Sequence, residues 1–185
     1  AYLNGEEKHY HPDAYRMLHI TNHDLNSWEG TEFVRLGDAV ETFLVLSNIM
    51  KGMPLMYSGQ EAGNNKVLNF FERDPIEWKA HPFKQLYTKL FQLKKTNKAL
   101  WNGLAGGEMQ RVHTGADDHV FAFTREKDGN KIVAIFNLSN KAQAADIQSA
   151  LAKGKLRDIN SGAKAPQGAN VKFNLKPWEY KVFAQ

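Results

Sequence analysis

Met17-Leu18-His19-Ile20-Thr21-Asn22-His23-Asp24 is a mostly apolar run that stops abruptly at three polar side chains. Its length and apolar majority predict a buried strand from Tyr15 to Thr21, followed by a polar loop from Asn22 to Glu32. Parallel α/β folds build their active sites at the C-terminal ends of such strands. Asp24 and His23 are therefore the leading candidates for chemistry. One carboxylate is rarely a whole active site, so the remainder has to be sought elsewhere.

Between Phe33 and Met50, positions Val40, Phe43, Leu44, Ser47 and Met50 recur at spacings of three and four, which predicts a helix packed on a sheet. Gly52 can close that helix, and Met53-Pro54-Leu55-Met56-Tyr57 reads as a second strand. Strand, helix and strand in this order form one βαβ crossover and imply a parallel pair. After Ser58-Gly59-Gln60-Glu61 a long loop reaches about Ala80; loops of that length in compact domains are usually functional. Pro82 then starts a helix with Phe83, Leu86, Leu90 and Leu93 on one stripe and Lys84, Lys89 and Lys95 off it.

The pattern changes at about Leu104. Ala105-Gly106-Gly107 is a linker-like break, after which Val120, Ala122 and Thr124 alternate with Phe121, Phe123 and Arg125. Asp128-Gly129-Asn130 is a hairpin signal, and Ile132 to Leu138 is the returning strand. Further strands are expected at Lys155 to Ile159, Val171 to Leu175 and Tyr180 to Ala184, while Ala142 to Leu151 reads equally as a helix or a poor strand. Hairpins at this spacing predict an antiparallel sandwich.

The chain's 185 residues include no cysteine, which excludes disulfides and thiolate metal sites and is compatible with either redox environment. No apolar run approaches the roughly 20 residues of a membrane helix, so no membrane partner is expected. Net charge is +4, with six lysines and no acid between Lys79 and Lys98. No nucleic-acid motif accompanies them, so a solvated helix face is expected and no nucleic-acid partner. The opening Ala1-Tyr2-Leu3 carries neither an initiator Met nor a signal-like segment, as expected of a processed or excised piece. One βαβ unit also leaves parallel strands with unpaired edges and uncovered faces. Their partners must come from other chains, or the chain is the C-terminal part of a larger enzyme.

Thr21-Asn22-His23-Asp24, followed by Gly52-Met53-Pro54-Leu55-Met56-Tyr57-Ser58-Gly59-Gln60-Glu61, resembles the α-amylase family of glycoside hydrolases. Asp74-Pro75-Ile76-Glu77-Trp78 is similar to the segment after the last barrel strand in many members. The implied fold class is α/β followed by all-β: residues 1–103 as the C-terminal portion of a (β/α)8 TIM barrel, strands 7 and 8 with their helices, and residues 104–185 as an antiparallel β-sandwich. The resemblance implies Asp24 as the carboxylate that stabilises an oxocarbenium-like transition state, with His23 and Asn22 contacting the substrate, an α-glucan or maltooligosaccharide. The nucleophile and the general acid of a retaining glycosidase would lie on strands upstream of this chain, as would the usual calcium ligands. No cofactor is therefore expected in this segment, and the remaining N-terminal part of the barrel is an expected partner. The isolated chain is expected to be inactive. The competing readings are a non-catalytic carbohydrate-binding or structural module and a catalytically dead homologue.

Simpler roles stand beside these. Asp24 could cap the following helix, and His23 could be a structural histidine. His9, His11 and Asp13 have spacing open to metal ligation but no evident fourth ligand. Trp28 reads either as a stacking ring or as a loop anchor. Trp78, Trp101 and Trp178 are expected to pack, with Trp178 inside the sandwich. Asn69 to Arg73 lie on the loop at the candidate site's side without a pattern that assigns them. Glu61 belongs to the Gly-Gln-Glu turn and is expected to be structural.

Overall fold

The computed structural model describes residues 10–11, 13–148, 150–151 and 154–185. Strand β1 (Met17–Leu18) pairs in parallel with β2 (Met53–Pro54), with Met17 opposite Met53 and Leu18 opposite Pro54. The bonds from Met53 N to Arg16 O and from Leu55 N to Leu18 O, 2.7 and 2.8 Å, fix that register. The segment expected as a buried strand is thus a two-residue ladder, with Tyr15, Met17 and His19 exposed. A parallel strand becomes buried only when both faces and both edges are covered, and here one edge and one face are open.

The connection holds two helices, α1 (Glu32–Leu36) and α2 (Val40–Ile49), separated by a 3₁₀ turn at Gly37–Ala39. Gly37 breaks the expected continuous helix by adopting φ 53°. The buried face of α2 is broader than an amphipathic stripe, with Val40, Leu44, Val45, Leu46 and Ile49 all enclosed. The cause is a double interface, because α2 packs on both the strand pair and the C-terminal sheet. Gly52 does not close this helix, which gives way to extended backbone at Met50. Gly52 instead lets the chain pass β1: a Cβ there would lie 2.8 Å from Arg16 O.

Helix α3 (Pro82–Thr96) forms as its periodicity predicts, with His81 as N-cap and Phe83, Tyr87 and Leu90 buried. Lys84, Lys89 and Lys95 are solvated. Lys94 instead donates to Gly52 O at 3.0 Å and to Leu100 O, and burial pushes its pKa down to about 8.

Among the described residues seven strands follow: β3 (Met109–Val112), β4 (Val120–Lys127), β5 (Asn130–Asn137), β6 (Gln143–Gln148), β7 (Arg157–Asp158), β8 (Asn170–Leu175) and β9 (Tyr180–Ala184). One sheet has the order β3-β4-β5-β9-β7, and β6 pairs with β8 in a second. Asp128 and Gly129, with φ 47° and 80°, make the tight turn between β4 and β5. The ambiguous Ala142–Leu151 stretch resolves as strand β6, because Ala145 and Ile147 enter the core between the sheets. Strand β3 has no counterpart in the sequence reading; its side chains lie near the surface and give no clean alternation.

The central strands β4, β5 and β9 of the five-stranded sheet are buried on both faces. Val120, Ala122, Val133, Ile135 and Phe183 face β6 and β8. Phe123, Ile132, Ala134, Phe136 and Val182 share a core with Leu44, Ile49, Tyr87 and Leu90 of the helices. The stretch Ala105-Gly106-Gly107, expected to be linker-like, is a close-packed crossing. A Cβ on Gly106 would lie 1.8 Å from Trp101 O, and Gly107 N bonds Ala99 O at 3.0 Å. Trp178 is half-buried on the β8–β9 turn, not inside the sandwich. Its carbonyl accepts from Thr42 Oγ1 of α2.

Arg125 joins the parts. Its side chain is fully buried, with Nε donating to Gly107 O at 3.0 Å, Nη1 to Ile49 O and Met50 O at 3.1 and 2.9 Å, and Nη2 to Trp101 O at 2.9 Å. Burial lowers its pKa to about 10. The planar guanidinium suits a site with acceptors on several sides.

Candidate active site at the end of the first strand

After Thr21 the chain turns into a π-helical turn, Leu25–Glu29. Asn22 initiates it: its Oδ1 accepts from Leu25 N at 2.8 Å, and its backbone carbonyl accepts from Asn26 N at 2.9 Å. Asn22 Nδ2 also lies 3.4 Å from His19 Nε2. The capping work is therefore done by Asn22. Asp24 makes no side-chain capping bond. Its carboxylate and the His23 ring stand in solvent, 61% and 63% exposed, with His23 Nε2 3.5 Å from Asp24 Oδ2. An exposed carboxylate excused from capping on the loop after β1 is free to meet a ligand.

The loop carrying these groups is held from three directions. Arg35 of α1 donates from Nη2 to Ile20 O at 2.7 Å and from Nε to Gly30 O at 3.0 Å, so it clamps both ends of the turn. Asn26, buried beneath the turn, accepts from Leu68 N at 2.8 Å and donates to Lys66 O at 3.2 Å. Ser27 Oγ donates to Leu68 O at 2.8 Å, and Thr31 Oγ1 donates to Asn65 Oδ1 at 2.6 Å. The loops that follow β1 and β2 are thereby one rigid unit. Nothing in the spacing of Asn26, Ser27, Thr31 and Arg35 announces this, because their partners lie up to 42 residues away.

Further along, Lys66 Nζ pairs with Asp74 Oδ1 while Asp74 Oδ2 accepts from Asn69 N at 3.0 Å. The Lys66 side chain and the Asn69 amide together hold the Asp74 carboxyl below its ordinary range. This fold of the loop brings Phe70 within 5.7 Å of the His23 ring and 5.4 Å of the Trp28 ring, centroid to centroid. Phe71 lies 4.8 Å from Phe70 and 6.3 Å from Trp28. Trp28 thus belongs to an aromatic group with Phe70 and Phe71. Trp78, expected to pack, is largely exposed.

Glu61 Oε2 accepts from Gly59 N at 3.0 Å and so braces its own turn. A carboxylate not singled out by sequence, Glu32, is buried behind the site, where it accepts from Gln60 Nε2 at 3.3 Å. Gln60 Oε1 in turn accepts from Tyr57 N at 2.7 Å, and burial raises the Glu32 pKa. His11 and Asp13 are solvent-exposed, 3.5 Å apart; His9 lies outside the described residues. Among the described residues no group of three His, Asp or Glu side chains could hold a metal. A groove of about 510 Å³ beside the other end of β1, lined by Tyr15, Arg16 and Met109, does not include Asp24.

Residues 109–182 match the family model of the maltogenic amylase C-terminal domain. Over the whole chain, the noncanonic maltogenic α-amylase AmyB of Thermotoga neapolitana superposes with a TM-score of 0.79 at 16% identity, covering 99% of this chain and 44% of that one. The chain has the fold of an α-amylase C-terminal region. An α-amylase of Lactobacillus plantarum aligns with a TM-score of 0.74 at 16% identity over 100% of this chain and 41% of its own. AmyP, solved in complex with maltose, gives 0.70 at 15% over 98% and 43%. This chain thus spans less than half the length of each of these α-amylase-type structures. At such identities the likeness is one of fold. No curated protein matches the sequence.

Proposed function

We propose that this chain is the C-terminal part of a retaining α-glucan hydrolase, with β1 and β2 as the seventh and eighth strands of a (β/α)8 barrel and residues 104–185 as its C-terminal sandwich. The observation that carries the reading is Asp24: an exposed carboxylate on the loop that follows the parallel strand β1, six residues past Leu18, relieved of capping by Asn22. The open edge and face of the strand pair, and relatives more than twice as long, support the barrel assignment.

In this role Asp24 neither attacks nor protonates. Positive charge develops at the anomeric carbon as the glycosidic bond breaks, and a fixed carboxylate beside it lowers the barrier electrostatically. Fixation is what the clamps provide, because Arg35, Asn26 and Thr31 set the turn before substrate arrives. His23 contacts the hydroxyls of the same ring, and Asn22 acts mainly by setting the turn that presents both. The nucleophile and the acid come from upstream strands.

In the full-length protein, Asp24→Asn is expected to reduce kcat/KM on soluble starch by about a thousandfold. Its melting temperature should move by less than about 2 °C, because the amide is isosteric with the carboxylate and Asp24 makes no side-chain capping bond. The isolated 185-residue chain should release no reducing sugar. Near wild-type hydrolysis by the Asp24→Asn enzyme would sink the assignment.

A further inference from the structure

Glu32 is a titratable side chain that the chemistry at Asp24 does not use, and it is almost fully enclosed, at 1% exposure. Its place follows from the capping of α1. Thr31 Oγ1 accepts from Val34 N at 3.3 Å and donates to Asn65 Oδ1, and the next residue starts the helix facing inward. There Glu32 Oε1 accepts from Gln60 Nε2 at 3.3 Å, and the buried Gln60 accepts in turn from Tyr57 N at 2.7 Å. The second bond fixes which end of the Gln60 amide faces Tyr57, so its N–H is left for Glu32. These bonds tie the end of the loop that carries Asp24 to the segment that leaves β2.

The surroundings disfavour a charge on that carboxyl. Burial raises its pKa and outweighs its own backbone N–H, the Gln60 amide and Arg35 of α1, which all favour ionisation. From α3, the buried Tyr87 feels the same carboxyl: burial, then the Glu32 and Glu61 carboxylates, push its hydroxyl up. Glu61 is committed to Gly59 N, and His81, the N-cap of α3, packs edge-on against Phe33 at 6.4 Å. A buried carboxylate needs donors on both oxygens. Among the described residues those of Glu32 are one side-chain amide and its own N–H. Once ionised, it recovers solvation by drawing away from Gln60 or by admitting water. Either movement pulls on Thr31 and Gly30, and Gly30 O is one of the two carbonyls by which Arg35 clamps the Asp24 turn.

We propose that Glu32 is a positioning residue: in its neutral form it holds the loop that presents Asp24 against the segment after β2, and hydrolysis weakens as it ionises. This deepens the α-glucan hydrolase reading and rests on it. Glu32 touches no reacting atom and acts through Gln60 and the clamped turn. Because Asp24 works in the transition state, displacing its loop lowers kcat more than it changes KM. The sign of the pH effect follows. kcat is whole where Glu32 keeps its proton and declines as pH rises through the raised folded value.

The test uses the full-length protein and Glu32→Gln, which fixes the side chain in a neutral state. kcat on soluble starch is measured for both proteins from about pH 5 to about pH 9, and the ratio of variant to parent cancels the ionisations they share. That ratio is expected to rise with pH by more than about twofold, while KM differs by less than about twofold. Amide hydrogen exchange over Leu25–Glu29, compared between the two proteins at each pH, is the second readout. The turn should exchange more than about twofold faster in the parent at about pH 9 and alike in both at about pH 5. A kcat ratio that stays within about twofold would overturn the positioning role, as would a pH effect carried by KM alone or equal exchange at both pH values. The hydrolase reading fails separately, if Asp24→Asn leaves hydrolysis intact; the exchange comparison is read independently of that result.

Discussion

β1 and β2 run parallel through two register pairs, whereas β4 and β5 run antiparallel through eight. The hairpin closes with the two-residue turn Asp128-Gly129 and is covered on both faces, by β6 and β8 on one and by α2 and α3 on the other. The parallel pair needs the whole segment between Pro54 and Leu18 to close, and only one of its faces is covered. The contrast teaches that the extent of a strand depends on what flanks it as much as on its own residues. A hairpin brings its partner with it; a parallel strand depends on remote chain for partner and cover.

The largest expected effect lies where the two regions meet. Arg125→Ala should cost about 4 kcal/mol in urea denaturation, because four carbonyls from α2, the Gly107 crossing and Trp101 lose their donor inside the core. Arg125→Lys should recover less than half of this, since one ammonium cannot reach acceptors on every side of a planar fork. A loss below about 1 kcal/mol for Arg125→Ala would mean the clasp is dispensable.

A paired truncation sharpens the comparison next. Phe123→Ala on the hairpin should cost about 3–4 kcal/mol, because the ring is fully buried among helices and sheet. Met17→Ala on β1 should cost less than about 0.5 kcal/mol in the same chain, its side chain being 51% exposed. Equal costs would show that β1 is covered in solution.

The smallest effect concerns pH. Burial raises the Glu32 carboxyl above its ordinary value, so the folded state binds that proton more tightly than the unfolded chain. Its stabilising contribution is complete below the unfolded pKa, is lost as pH rises through the raised folded value, and changes no further above it. Glu32→Gln preserves an acceptor for Gln60 and removes the charge. The variant should be up to about 1 kcal/mol more stable than its parent at pH 8 and gain nothing at pH 4, measured as the difference between melting curves. A gain that is the same at both pH values would refute ionisation as its cause.

Legibility followed the range of the forces involved. Strand β9 coincides with its expected span, the β4–β5 turn is written in Asp128-Gly129, and α3 shows its stripe, because each depends on neighbours in sequence. Gly37 splits the expected helix, and the burial of α2 on two sides hides its period. Trp178 faces Thr42 across 136 residues, a contact that no local pattern encodes. At the candidate site, His23 and Asp24 were visible as polar residues ending an apolar run. That Asn22 takes the cap, and so leaves Asp24 free, was not.

Residue order by itself determined the βαβ unit, the long loop after β2, the hairpin and the polar triplet that ends the apolar run carrying β1. These follow from apolar periodicity and turn chemistry acting over a few residues. Tertiary structure alone decided how far β1 extends, that Gly106 and Gly107 pack instead of flexing, and that Asn26 and Arg35 lock the site loop. It also decided that Phe70 and Phe71 stand beside His23. Those outcomes depend on which distant groups come within hydrogen-bonding or van der Waals reach, and that distance is set only when the chain has folded.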